Sequence, residues 1–251
     1  MDVAPEKCNI IKFSHLKSNS NPIANCAVFN GANIPPVTQI RDLGIIFSGN
    51  LVFNAHINTI VGNAQRRINV LFNILKHAPL EIFLKCFIIY ARPLLEYGSV
   101  VFSPVLKELV RKIENVQKSF IYRCYKKFGK VYNGYFNAIQ ECGFESLEYR
   151  RLLADLSFIY KCLVTKDVEM PNHLFYTYPK LSHLRRHRYY VRTTLPNKYK
   201  CFSQYLSIRS LACWNSLPES IFISIPTPDC FRTRLRALPL QNYLTLSDLN
   251  Y

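Results

Sequence analysis

The apolar residues of this chain change their period once, near residue 50, and that change constrains the fold more than any other feature. Downstream, Ile57, Ile60, Val61, Ala64, Ile68, Leu71, Phe72 and Leu75 recur at three- and four-residue spacing over five turns. An α-helix stacks such positions on one face, whereas a strand alternates them. Upstream there are only short apolar runs separated by turn signals. Residues 9–13 and 26–29 read as strands, Asn30-Gly31 as a two-residue hairpin turn, and 34–38 as the return strand, confined to an edge by Pro35-Pro36. Leu43 to Phe47 is one further run of strand length. So short a sheet buries no core alone.

The rest of the chain continues the helical pattern. Pro79 suits the first turn of a helix running to about Ala91, apolar almost all round and so expected at the centre, with Pro93 ending or kinking it. Leu109, Ile113, Val116 and Phe120 form a third stripe. Residues 146–165 form a fourth helix with Ser146 as candidate N-cap, apolar on two faces and therefore expected between neighbours. Residues 166–200 show no period and read as a loop. The expected fold is α+β and mostly α: a small antiparallel β element over 1–50, a helical region over 51–130, and a helical extension over 131–251 with a basic loop at 166–200.

Thirty-two Lys and Arg stand against sixteen Asp and Glu, for a formal net charge of +16. The excess is uneven: residues 51–130 carry 13 basic and 4 acidic residues, 131–180 carry 5 and 6, and 181–251 carry 10 and 3. Two basic regions around a neutral one suit a polyanion-facing surface, of which nucleic acid is the commonest partner. On the third helix Arg111, Lys118, Tyr122 and Lys126 are spaced seven, four and four apart, so they form one basic-aromatic ridge opposite the apolar stripe. Cations meet phosphates, and the tyrosine can stack or hydrogen-bond. Arg66 on the first helix and Arg185, Arg186 and Arg188 in the loop are the other candidate contacts. An ordinary solvated helix face has the same composition, and the pattern leaves both readings open.

Nine cysteines lack metal-ligand spacing, and no secretory leader opens the sequence, so reduced thiols in an intracellular protein, nuclear or cytoplasmic, are expected. The six histidines match no metal motif. The longest apolar stretch, 82–102, is interrupted by Lys85, Arg92 and Glu96, which argues against a membrane span. There is no Gly-rich phosphate loop and no Gly-x-Ser-x-Gly elbow. Trp214, with Leu211 and Leu217 at helical spacing, reads as a core anchor.

Several segments together resemble the C-terminal part of non-LTR retrotransposon (LINE-type, Jockey- or CR1-like) reverse transcriptases. The segment Leu206 to Ile221, which contains Trp214-Asn-Ser-Leu-Pro218, followed by Phe231-Arg-Thr-Arg-Leu235, resembles their closing stretch. Ala4-Pro-Glu-Lys-Cys8 resembles motif D of the palm, and Arg41-Asp-Leu-Gly-Ile-Ile46 resembles the primer grip, motif E. Arg92-Pro-Leu-Leu-Glu-Tyr-Gly98, Glu114-x-x-Gln117-Lys118 and Leu147-Glu-x-Arg-Arg151 resemble thumb segments. The order and spacing, rather than any one motif, carry the resemblance.

The resemblance implies a palm remnant, a thumb and a C-terminal extension of an RNA-directed DNA polymerase. It implies Lys7 as the motif D general acid and Leu43 and Gly44 as primer-grip residues. It also implies that the Mg²⁺-binding aspartate pair of the intact enzyme lies upstream, so that the chain is a truncated copy with Met1 as an internal start. Two-metal phosphoryl transfer needs carboxylates holding both ions about 4 Å apart. No Asp-Asp pair occurs in this sequence. The isolated chain is therefore expected to hold no cofactor and to lack polymerase activity, keeping sequence-independent binding to RNA or DNA duplex. The alternatives are a helical protein-interaction module and an inactive pseudogene product.

Overall fold

The computed structural model describes residues 8–13, 28–29, 31–169, 176–177, 186–192 and 203–246. The chain divides into two units, Met1–Thr59 and Ile60–Tyr251.

The first unit is built from two-strand pairs. Strand β2 (Val28–Phe29) turns antiparallel into β3 (Ala32–Asn33), so the expected hairpin stands, but its return strand is 32–33 and not 34–38. Strand β4 (Pro36–Val37) instead lies parallel to β1 (Ile10–Ile11). Proline is tolerated there because an edge position asks for no N–H from it; the bond across is Ile10 N–H to the Pro35 carbonyl, 3.1 Å. Strands β5 (Gln39–Asp42) and β6 (Ile45–Ser48) make the longest pair, with Asp42 opposite Ile45. The apolar run read as 43–47 therefore begins two residues late, because Leu43 and Gly44 are the turn. Both have positive φ, 43° and 87°, the geometry that two-residue hairpin turns require. Gly49 is a second constrained position: a Cβ there would lie 2.8 Å from the Lys12 carbonyl oxygen. Buried His56 accepts the Ile46 N–H at Nδ1, 3.3 Å.

The body is helical. Helix α1 (Asn54–Ile74) buries its stripe, including Ile60, Ala64, Ile68 and Leu71. Helix α2 (Leu80–Cys86) does not stop before Pro93. It passes through a π turn, Phe87–Ala91, into α3 (Arg92–Glu96). The Arg92 N–H bonds the Phe87 carbonyl, and this one-residue slip absorbs the register break that a proline without N–H imposes. Nor is the segment central on all sides: Ile89 and Tyr90 are exposed.

After α4 (Ser99–Phe102) comes α5 (Lys107–Lys127), whose inner face from Val110 to Tyr125 is buried. Phe120 stacks on Phe87 at 4.4 Å and meets Phe72 edge-on at 5.9 Å. Helix α6 (Tyr135–Glu141) ends at Gly143, φ 68°, and Phe144 N–H returns to the Ile139 carbonyl, 2.8 Å, in the left-handed cap that only glycine adopts cheaply.

Helix α7 (Leu147–Tyr160) starts where expected, with Ser146 Oγ accepting the Tyr149 N–H at 3.2 Å. It packs against α4, α5 and α10 (Pro228–Arg236), which accounts for its two apolar faces. A second π turn, Lys161–Thr165, closes it. Among its described residues, the stretch read as a loop contains an antiparallel pair, β7 (Tyr176–Thr177) with β8 (Val191–Arg192). Short helices α8 (Leu206–Arg209) and α9 (Leu211–Ser216) then carry Trp214 into a second core with Phe222, Phe231 and Tyr160. The fold is α+β and mostly α.

Candidate nucleic-acid interface

At 100° per residue, the inner arc of α5 holds Val110, Ile113, Val116, Phe120 and Cys124, and the outer arc holds Arg111, Lys112, Asn115, Lys118, Ser119, Tyr122 and Lys126. Glu108 is the one acidic residue on that outer arc. Tyr122 and Lys126 are exposed, and Arg111 and Lys118 are half-buried at the arc's edge. The Tyr122 ring meets Tyr132 edge-on at 5.3 Å, so the outer tyrosine is braced while half of it stays open to solvent. The four ridge residues thus share a face, as their spacing implies.

Helix α1 borders the other shoulder of α5. Arg123 donates to Asn69 Oδ1 at 2.8 Å and lies 4.0 Å over the Phe72 ring, and Lys127 Nζ donates to the Lys76 carbonyl at 2.8 Å. Between the helices runs a groove of about 240 Å³ with Ile68, Val116 and Phe120 in its lining and Gln65, Asn69 and Arg123 beside them. Arg66 is exposed on α1 and donates to Asn63 Oδ1 one turn earlier. Lys112, Arg123 and Lys127 were not singled out from the sequence. The signal was present, since they continue the same arc toward α1.

The remaining candidates fall elsewhere. Arg186 lies 4.3 Å over Tyr190, and Arg188 is ion-paired with Glu219 at 2.7 Å. The peptide around them is anchored. His187 Nδ1 accepts the Tyr189 N–H, 3.2 Å, which leaves Nε2 protonated to donate to the Trp214 carbonyl, 3.0 Å. Trp214 Nε1 donates to the Tyr189 carbonyl, 2.8 Å, and Asn215 bonds both backbone groups of Val191, at 3.1 and 2.9 Å. Leu43 and Gly44 form the exposed tip of the β5–β6 turn, Leu43 with 82% of its surface accessible. Lys7 and Arg185 lie outside the described residues. Among the described residues no group of three His, Cys, Asp or Glu is arranged to hold a metal ion. None of their helices is long and apolar enough to cross a membrane.

The other segments that carry the resemblance turn inward and meet one another. Glu114, fully buried on α5, accepts the N–H groups of Leu147 and Glu148 at 2.9 and 3.0 Å and the Tyr135 hydroxyl. A carboxylate thus sits on the N-terminus of α7, where orphan amides and the helix dipole favour it. Burial pushes the Glu114 carboxyl above its usual range, with Arg151 and its three donors pulling the other way. Gln117 Nε2 donates to Tyr135 Oη, 2.9 Å, and to the Glu145 carbonyl, 3.0 Å. Arg150 grips Glu96 with two donors and reaches Glu145 at 3.1 Å, and Arg236 closes on Glu145 at 2.7 Å. Arg209 holds Asp155 at 2.7 and 2.8 Å, Ser210 Oγ joins at 2.9 Å, and a further Arg209 donor reaches the Val100 carbonyl at 2.6 Å. With their partners Tyr135, Glu145, Asp155 and Arg236, these residues form a polar frame that joins α3, α5, α7, α8 and α10.

Over 125 residues, half of its length, the chain is 24% identical to an uncharacterized protein of Caenorhabditis elegans, and the match covers 63% of that protein. No protein-family profile matches the chain. No solved structure matches it.

Proposed function

We propose that this chain is a nucleic-acid-binding helical module of the non-LTR reverse transcriptase type, gripping duplex backbone with the outer face of α5. The observation that carries the reading is the asymmetry of that helix: Arg111, Lys112, Lys118, Tyr122 and Lys126 share the outer arc with one acid, Glu108, above a fully packed inner arc. A cationic strip with an aromatic residue supplies phosphate contacts and no base-edge readout, so binding is strongly salt-dependent and indifferent to sequence. Asp2, Asp42, Asp155, Asp167, Asp229 and Asp248 are scattered along the chain, and Asp155 is engaged by Arg209. The 251-residue chain alone therefore performs no template-dependent synthesis with Mg²⁺ or Mn²⁺; primer extension that a chelator abolishes would contradict this.

Duplexes of unrelated sequence titrated by fluorescence anisotropy test the binding. They should bind with similar affinity, and the Arg111→Ala/Lys118→Ala/Lys126→Ala variant should bind more weakly to all of them by a similar factor. A duplex that is strongly preferred, or an unaffected variant, would overturn the reading.

A second reading, a helical protein-interaction module, draws on one observation. Ile82, Ile89, Tyr90, Tyr97, Val101 and Leu106 are exposed apolar residues along α2 to the start of α5. Loss of duplex binding with retained self-association or partner capture through those residues would favour it.

A further inference from the structure

Where α3, α7 and α10 meet, a cleft of about 240 Å³ is lined by Glu96, Glu145, Arg150, Arg151, Arg232 and Arg236 among others. Arg151 is the unusual member. It is fully buried, and neither Nη1 nor Nη2 has a hydrogen-bond partner among the described residues. A buried guanidinium without acceptors is costly, and a native fold keeps one where an acceptor is to be supplied.

The carboxylates whose charge acts on Arg151 are Glu114, Glu148, Asp155 and Glu96. All four have other donors. Glu114 caps α7, and Glu148 accepts the Thr245 and Leu246 N–H groups. Asp155 is held by Arg209 and Ser210, and Glu96 by Arg150. Glu145, across the cleft, is held by Arg150 and Arg236. Arg232, at the exposed rim, makes only a 3.4 Å contact to Ser157 Oγ and pairs with no carboxylate among the described residues. Two guanidiniums, one at depth and one at the mouth, are thus left with donors to give. The lining carries four arginines against two glutamates, while Glu114, Glu148 and Asp155 act on Arg151 from outside it.

We propose that this cleft binds a single phosphate group, with Arg151 at its floor and Arg232 at its mouth as the donors. A phosphate monoester or inorganic phosphate fits better than water: it brings three or four acceptor oxygens and a negative charge, and guanidinium donors match it in a fork geometry. The free phosphate and the terminal phosphate of an oligonucleotide share this chemistry. A diester inside a strand does not, because both flanking sugars would have to enter the cleft. The site lies on residues separate from the outer face of α5 and does not depend on the function proposed for that face.

Isothermal titration of the full chain at constant ionic strength tests the proposal. The probes are inorganic phosphate, a 5′-phosphorylated dinucleotide and its 5′-hydroxyl counterpart. Expected is saturable one-to-one binding of phosphate, or of the phosphorylated dinucleotide alone, with no binding of the hydroxyl form. The first pattern identifies a free-phosphate site and the second a terminal-phosphate site. Arg232→Ala, at an exposed position, should weaken binding about tenfold with the thermal midpoint unchanged. The α5 triple variant should bind phosphate as the wild type does. Absence of saturable binding up to about 10 mM, weaker than any affinity a built site of this kind offers, or equal binding by Arg232→Ala, would overturn the proposal.

Discussion

The outer face of α5 and the joint between α7, α8 and α10 are both rich in cations, yet they hold them in opposite states. At the joint, the Arg209–Asp155 pair keeps 6% and 4% of its side-chain surface accessible, and Arg150 shares two carboxylates. On α5, Lys126 and Tyr122 stand in solvent. The joint uses arginine, whose planar fork satisfies a carboxylate and a carbonyl together; the exposed face uses mainly lysine, a hydrated point charge on a flexible stem. Net charge alone does not distinguish them. Within residues 181–251, Arg188, Arg209 and Arg236 are paired with Glu219, Asp155 and Glu145 and belong to architecture.

The contrast is sharpest for mutations at the joint. Asp155→Ala leaves Arg209 buried without its partner and should cost about 3–5 kcal/mol. Trp214→Ala, which empties the second core and orphans the Tyr189 carbonyl, should fall in the same range of about 3–5 kcal/mol. Urea titration followed by circular dichroism measures both. A loss under about 1 kcal/mol for Asp155→Ala would mean that the joint tolerates an unpaired guanidinium, and would erase the difference between the regions.

Acid should loosen the joint at Glu145. Burial works to raise the Glu145 carboxyl, but hydrogen bonds and charge from Arg236 and Arg150 hold it below its ordinary 4.5. An acid depressed in the fold contributes stability that is fully present above its unfolded value and is lost as pH falls through the folded one. The thermal midpoint should therefore drop as pH is lowered beneath about 4.5, and less steeply in Glu145→Gln. Parallel profiles for the two proteins would remove Glu145 from the explanation.

A smaller effect is expected in the first unit. Burial, with Arg41 adding to it, lowers the His56 pKa from 6.5. The folded state thus binds fewer protons there than the unfolded one, so its contribution is complete above 6.5 and declines as pH falls below it. Hydrogen exchange at the Ile46 amide, which donates to His56 Nδ1, should quicken below that pH once intrinsic rates are divided out. Constant protection would show that the imidazole does not hold this hairpin.

The sequence made the long helices legible because α1 and α5 carry unbroken apolar stripes and α7 has Ser146 at its cap. It made the α5 ridge legible by spacing. The joint was hidden by the same reasoning, because charged residues read as solvated: Glu114 follows Ile113 directly, and nothing local says that it points inward. Its partners, Tyr135, Leu147 and Glu148, lie 21 to 34 residues away. Arg188 read as a free loop cation for the same reason, its partner Glu219 being 31 residues distant. Pro93 read as a helix end or kink, because periodicity carries no sign of a π turn. Strand β4 was assigned to the wrong partner because pairing of two-residue strands is set by contacts that no short pattern encodes.

The central claim is that the cations of α5 bind and those of the joint hold. Duplex affinity measured from low to high salt, with the thermal midpoint recorded on the same samples, tests it in two variants. The Arg111→Ala/Lys118→Ala/Lys126→Ala protein should keep its midpoint and flatten the salt slope by about three units, one per phosphate contact removed. Arg209→Lys should lower the midpoint and, below it, keep the slope. A triple variant with unchanged slope and affinity, or an Arg209→Lys protein that is fully stable but binds duplex poorly, would contradict the account.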